Sequence, residues 1–211
     1  MASRIFFSIL FLCAFSVLQA QNLQVIKLNA PDKARGAAVM KALNERQSIR
    51  EYAAETLKPQ DLSDLLWAAN GINRPDGRRT APSTRNLQVV EIYVVFPEGV
   101  YHYDHKEHAL TPVTTGDFRA AVAGPQDFVT TAPISLLLVA DMNKFGNLNE
   151  NSKLMAAIDV GIVSQNISIA CAGFGLATIP RGTMDQETLK TALKLTDMHL
   201  LLLNHPVGNQ K

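Results

Sequence analysis

Two stretches of the chain gather side chains that could hold a small anion. Arg46-Gln47-Ser48-Ile49-Arg50 sets two guanidiniums four residues apart with a hydroxyl between them. If the chain turns there, the planar forks can close around a phosphate, which takes bidentate donors. The same arginines suit a helix C-terminus, where cations complement the dipole, and the residues alone leave both readings open. Thr80-Ala81-Pro82-Ser83-Thr84-Arg85-Asn86 is the second stretch, a proline-stiffened loop rich in donors. Asp159, Gln165 and Asn166 lie in an otherwise apolar helical run and need partners from backbone or ligand.

Other familiar chemistries are not signalled. There is no Walker loop, no GxGxxG, no GxSxG and no HExxH. Tyr101–His108 holds His102, His105 and His108 with Asp104 and Glu107. On a strand His102 and Asp104 share a face while His105 points away, so the groups do not converge as zinc requires, and no metal is expected. Cys171 is the only cysteine after residue 20, so residues 21–211 have no internal disulfide. It sits in the apolar run Ile167–Phe174 without a basic neighbour in sequence, which predicts a buried, inert thiol.

The elements that must position these groups follow from periodicity and punctuation. Gly36–Arg46 reads as a helix with Val39, Met40 and Leu43 on one side, and Lys58–Gly71 as a second, with Pro59 in its first turn and Gly71 as its stop. Ile72–Leu87 reads as loop, Val89–Phe96 and Val100–Asp104 as strands around a Pro97-Glu98-Gly99 turn. Short helices are predicted over Asp117–Ala123 and Gln126–Thr130, and a buried strand over Pro133–Ala140. Asn151–Phe174 is the longest helix, apolar on nearly every side, and so is expected inside something. Its small residues Ala157, Gly161, Ser164, Ser168, Ala172 and Gly175 form a stripe that fits tight packing in one subunit or a seam between two. A helix over Asp185–Leu195 and an apolar strand over Met198–Leu203 close the chain. Without βαβ alternation the expected class is a layered α+β domain.

Charge narrows the partners. The 211 residues carry 20 Lys+Arg against 19 Asp+Glu. Residues 1–20 hold four of the nine Phe and one charge, Arg4, so the remainder balances at 19 against 19. Such neutrality argues against nucleic acid, which takes a net basic surface. Residues 1–20 have the layout of an export signal: a basic start, the apolar run Ile5–Leu18, then Gln19-Ala20. The expected organisation is a signal peptide over 1–20 and one domain over 21–211, exported to a bacterial periplasm, with an uncleaved membrane anchor as the alternative.

The order of motifs resembles the nitroreductase-like FMN-dependent oxidoreductases. An R-x-S-x-R element (Arg46, Ser48, Arg50) precedes a P-S-x-x-N loop (Pro82, Ser83, Asn86). A long helix with D-x-G-x-x-x-Q-N (Asp159, Gly161, Gln165, Asn166) and G-x-G-L (Gly173, Gly175, Leu176) follows, and the chain closes with His205-Pro206-Val207-Gly208. Tyr101-His102-Tyr103, His108-Ala109-Leu110 and Gly116-Asp117-Phe118-Arg119 are similar to the branch that includes azoline dehydrogenases of peptide maturation. The resemblance spans about residues 40–208.

It implies a mostly antiparallel sheet flanked by helices, in an intertwined homodimer with FMN at each of two interfacial sites. Arg46, Gln47 and Ser48 would hold the phosphate and ribityl chain, and Arg50 would approach the pyrimidine edge. Pro82, Ser83 and Asn86 would come from the partner subunit. The backbone of Ile179, Pro180, Arg181 and Gly182 would pass close to the flavin. Relatives often carry a basic residue beyond the last strand, a part that falls here to Lys211. The implied activity is hydride transfer through flavin N5 from NAD(P)H or another donor to a small organic acceptor, such as a nitroaromatic or quinone. Flavin-fragmenting, azoline-oxidising and non-catalytic flavin- or phosphate-binding variants are the alternatives.

Overall fold

The computed structural model describes residues 22–211, and the signal segment read at residues 1–20 lies outside the described residues. Among the described residues, seven strands make one antiparallel sheet in the order β1-β4-β3-β2-β5-β7-β6. These are β1 (Ile26–Lys27), β2 (Val90–Phe96), β3 (Gly99–Asp104), β4 (Ala109–Thr115), β5 (Ile134–Asp141), β6 (Leu176–Thr178) and β7 (His199–Asn209). The helices are α1 (Val39–Glu45), α2 (Pro59–Asn70), α3 (Arg119–Ala123), α4 (Glu150–Phe174) and α5 (Gln186–Ala192). The α+β class is as expected.

β5 explains why its sequence is a continuous apolar run rather than an alternation: both sheet faces are covered. Ile134, Leu136, Leu138 and Ala140 pack with Leu62, Leu65 and Leu66 of α2 and Val160, Val163 and Ile167 of α4. Leu137 and Val139 point the other way, into a cluster with Val122, Val129, Leu189 and Leu193. Leu136, Leu137 and Leu138 are fully buried, each contributing about 2 kcal/mol.

Several elements depart from the sequence reading. The first helix begins at Val39 because Gly36 is left-handed (φ +95°) and the Ala37 N–H donates to the Gly173 carbonyl at 3.0 Å, tying the chain to the end of α4 before it coils. The sequence pattern predicts no strand at β1, β4 or β6. The last strand runs on to Asn209 through Pro206 and Gly208, which read as its end. A Cβ on Gly208 would stand 2.7 Å from Pro133 Cδ and 3.2 Å from Tyr52 Cβ, so this glycine permits a close crossing. The fifth helix is shorter than predicted, and Lys194 just beyond it is left-handed (φ 54°).

α4 is not enclosed on every side. Leu154 (56%) and Ile158 (47%) are exposed, as is Gly161, where an added Cβ would meet nothing within 4 Å. The small-residue stripe therefore lies along the border of two faces. Ala157 and Gly161 are open to solvent, whereas Ser164 and Ser168 are buried.

The buried part of that border holds a polar knot joining α4 to β6 and β7. The single Thr178 hydroxyl proton goes to the Pro206 carbonyl at 2.9 Å, so His205 Nδ1–H must donate to Thr178 Oγ1 at 3.2 Å. Nε2 then accepts from the Ser164 hydroxyl at 2.8 Å. Burial pushes the His205 pKa down to about 3 from 6.5. Between those values the unfolded chain takes up a proton that the folded one refuses, so this group removes stability as pH falls below 6.5, by roughly 1.4 kcal/mol per pH unit. Urea unfolding of wild type and H205Q at pH 7.5 and pH 5 tests this. The stability difference between the two pH values should be smaller in H205Q by about 2 kcal/mol; an equal difference would remove His205 as its source.

Candidate functional site

Arg46-Gln47-Ser48-Ile49-Arg50 is neither helix nor free loop. α1 ends at Glu45, and Arg46 already has extended geometry (φ −58°, ψ 119°). The Ile49 N–H donates to the Thr178 carbonyl at 3.0 Å, and the Ala53 N–H to the Asn209 carbonyl at 3.0 Å. Tyr52 bridges to Gln210 in antiparallel register. Half-buried Ile49 and buried Tyr52 anchor the segment, and the Tyr52 hydroxyl donates back to the Ile49 carbonyl at 3.2 Å. Burial raises the Tyr52 pKa, which keeps that proton in place.

Gln47, Ser48 and Arg50 are left exposed and Arg46 half-exposed. Among the described residues, the Arg46, Ser48 and Arg50 side chains have neither hydrogen-bond nor ion-pair partners. Of the two readings left open by the sequence, the extended backbone removes the helix terminus for Arg50. Exposed Lys211 lies one residue past the Tyr52–Gln210 bridge. Gln47 and Ile49 also line a cavity of about 280 Å³ against Ser168, Ala172 and Gly175 of the α4 end.

The Pro82–Asn86 loop is equally well fixed, elsewhere. Ser83 Oγ accepts the Gln88 N–H at 2.8 Å, and the Asn86 N–H donates to the Ser83 carbonyl at 3.0 Å. Asp159 of α4 accepts the Thr84 N–H on both oxygens at 3.0 Å and the Thr84 hydroxyl at 3.1 Å. Arg85, Asn86 and Gln88 are all left-handed (φ 51°, 55° and 51°). Pro82, Arg85 and Asn86 stay exposed. The partners required of the polar helix residues are thus Thr84 for Asp159 and the Ala69 carbonyl for Asn166 (3.2 Å), while Gln165 is exposed and needs none.

The third predicted segment behaves differently from its residue types. Ile179 is buried, Pro180 and Gly182 are exposed, and Arg181 is 6% exposed with its side chain turned inward. Its guanidinium donates to Gln126 Oε1 (2.7 Å), Asn204 Oδ1 (2.7 Å) and the Val122 and Ala123 carbonyls (3.1 and 2.9 Å). Its backbone is bridged to Asn204. Arg181 therefore offers a ligand no side chain, and the accessible backbone there belongs to Pro180 and Gly182. Tyr52 and Thr84 are the positioning residues that sequence reasoning missed. Their types carry no signal beyond closeness to Arg50 and Ser83.

The structure thus sets Arg46–Arg50 against Thr178, the residue before 179–182, with Lys211 just past the Tyr52–Gln210 bridge, and it sets Pro82–Asn86 apart. The arginine segment lies where α4 ends at Gly175, whereas the loop is pinned at Asp159. Those 16 positions correspond to about 24 Å along a helix. The remaining candidates are committed elsewhere. His102 bonds Glu91 (2.9 Å), which also pairs with Lys144; His105 bonds Arg79 (2.8 Å); His108 bonds Tyr103 and Ser63 (both 2.8 Å). Among the described residues no three His, Cys, Asp or Glu converge as metal ligands. Cys171 is buried, which raises its thiol pKa.

Comparison with known proteins matches residues 43–209 to the model of the Nitroreductase family. A Methanocaldococcus jannaschii protein bearing a provisional nitroreductase name is 30% identical over 178 residues, covering 80% of this chain and 89% of its own. A Bacillus subtilis protein named FMN reductase [NAD(P)H] is 26% identical over 159 residues, covering 69% of this chain and 54% of its own. A crystal structure from Ralstonia eutropha, also provisionally named a nitroreductase, superposes with a TM-score of 0.82 at 33% identity, covering 89% of this chain and 90% of that one.

Replacing Arg181 by Met should lower stability by about 3 kcal/mol, because it leaves buried acceptors unpaired. The urea midpoint measures this, and a midpoint equal to wild type would contradict the inward role.

Proposed function

Since the chain belongs to the nitroreductase family, we propose that it is a flavin-dependent oxidoreductase using FMN, with a donor such as NAD(P)H and a small organic acceptor such as a nitroaromatic or quinone. The observation that carries the proposal is the donor set on the extended segment after α1. Arg46, Gln47, Ser48, Arg50 and Lys211 supply cations, an amide and a hydroxyl on rigid backbone, with the Arg46, Ser48 and Arg50 side chains unpartnered among the described residues. That chemistry fits one phosphate and a polyhydroxyl chain. When bound, the flavin supplies two-electron hydride chemistry. Arg46, Gln47 and Ser48 would hold its phosphate and ribityl groups, and the backbone at Pro180 and Gly182 would border it. Arg50 would face the pyrimidine edge, where a fixed cation offsets negative charge better than water does. No side-chain acid or base is required.

The separation of the loop from this segment supports a homodimer. Exposed Leu154 and Ile158 lie at the α4 start, and α1, whose Val39 (61%), Met40 (73%) and Leu43 (44%) are exposed, lies at its other end. Pairing two copies of α4 antiparallel, with Gly161 in the seam, would cover both sets. It would also carry Pro82, Ser83 and Asn86 of one subunit towards Arg46–Arg50 of the other.

The β3–β4 hairpin motifs support a place near the azoline dehydrogenases. Their histidines, however, are bonded to Glu91, Tyr103 and Ser63, which favours a structural part for them and the broader reading of the activity. The pattern of residues 1–20 supports a signal peptide ahead of one domain over 21–211 and export to a periplasm, where an electron donor other than NAD(P)H would be needed.

Purified protein incubated with FMN should keep absorption bands near ~370 and ~450 nm after gel filtration, and NADH or NADPH should bleach them anaerobically. Colour that dithionite bleaches but nicotinamides do not would point to another donor. Colour that no turnover assay discharges would point to a binding protein, and colourless protein would overturn the reading. R50A should weaken FMN binding about 10–100-fold, the worth of a charge-assisted hydrogen bond. G161L should convert the dimer to monomer in light scattering; a dimer unchanged by G161L would place the seam elsewhere.

A further inference from the structure

Asp159 is 2% exposed, and among the described residues it meets no cation. Both its oxygens are given to Thr84, through the N–H (3.0 Å to each) and the hydroxyl (3.1 Å). A carboxylate taken out of water without a countercharge costs stability, and burial indeed raises its pKa. The loop it grips is itself strained, with Arg85, Asn86 and Gln88 all left-handed. The base of the loop is tied inside the subunit, through Gln88 to Ser83 (2.8 Å) and to the Gly77 carbonyl (3.2 Å) and through Lys144 Nζ to the Gln88 carbonyl (2.9 Å), but its tips are not. The Pro82, Arg85 and Asn86 side chains face solvent, with only a weak contact from Gln88 to Asn86 (3.3 Å) and the Arg85 guanidinium 5.6 Å from the Phe145 ring. Strain held by a buried polar clamp, on a loop with exposed tips, marks a surface shaped for something outside the chain.

We propose that Asp159 is a positioning residue acting across the subunit interface: by clamping Thr84 it holds Pro82, Ser83 and Asn86 in the shape that completes the flavin site of the opposite subunit. The inference rests on the FMN homodimer reading. It adds that the residue governing one subunit's loop is read out in the other subunit's cofactor affinity.

Subunit complementation tests it. D159N keeps size and fold but replaces one acceptor oxygen with a donor that faces the Thr84 N–H. T84V removes the hydroxyl without touching α4. Each homodimer should remain a dimer by light scattering and bind FMN at least ~10-fold more weakly than wild type. A second variant, R46A/R50A, should bind none. Co-expressed with different tags and purified as a mixed dimer, D159N with R46A/R50A should bind one FMN per dimer at wild-type affinity. One site then joins an intact arginine segment to an intact loop, and the other has neither. A purely structural defect in D159N would not be repaired this way, so mixed dimers that bind FMN only weakly or not at all overturn the proposal. Wild-type affinity in the D159N and T84V homodimers overturns it as well, leaving the flavin reading standing. Wild type that takes up no FMN removes both.

Discussion

The segment from Arg46 to Ala53 is held straight by main-chain hydrogen bonds to the ends of two strands, and the rest of the site depends on that restraint. Ile49 pairs with Thr178 of β6, Ala53 with Asn209 of β7, and Tyr52 closes the span between them. Backbone bonds of this kind leave side chains unspent, so the arginines and the serine project from a rigid rail. The cost is crowding where the rail crosses β7, and Gly208 meets it by having no Cβ. The knot of Ser164, His205 and Thr178 lies just beneath. It locks the same strands to α4, so the long helix and the rail share one foundation.

Much of this architecture is legible in the amino-acid sequence. α2 announces itself by period and capping glycine, α4 by its length and all-round apolar content, and β5 by an unbroken apolar run that only a doubly covered strand tolerates. What stays hidden has common causes. Pro206 and Gly208 read as a strand end, because local signals cannot show that β7 is clasped between β5 and β6. β4 contains Pro112 and half-exposed residues near the sheet edge, so its alternation is weak. Gly36 reads as part of a helix because its left-handed turn is imposed by a bond to Gly173, far along the chain.

The site divides along the same line. Order and residue type locate Arg46–Arg50 and Pro82–Asn86, since phosphate recognition needs particular donors. Direction is not legible. Arg181 sits in the right segment yet faces Asn204 and two carbonyls, because a guanidinium satisfies a buried loop as well as it does a ligand. Likewise the small-residue stripe of α4 is one line in sequence but two environments in space, part closed by β7 and part open.

Cys171 carries a different implication. The thiol is 1% exposed within the main core, and its burial favours the protonated form. Disulfide exchange proceeds through an accessible thiolate, and this sulfur offers neither the charge nor the access. The folded domain is therefore indifferent to the thiol–disulfide poise around it. It would keep the same covalent structure in a reducing cytosol or an oxidising envelope, without needing an oxidoreductase to repair mispaired sulfurs.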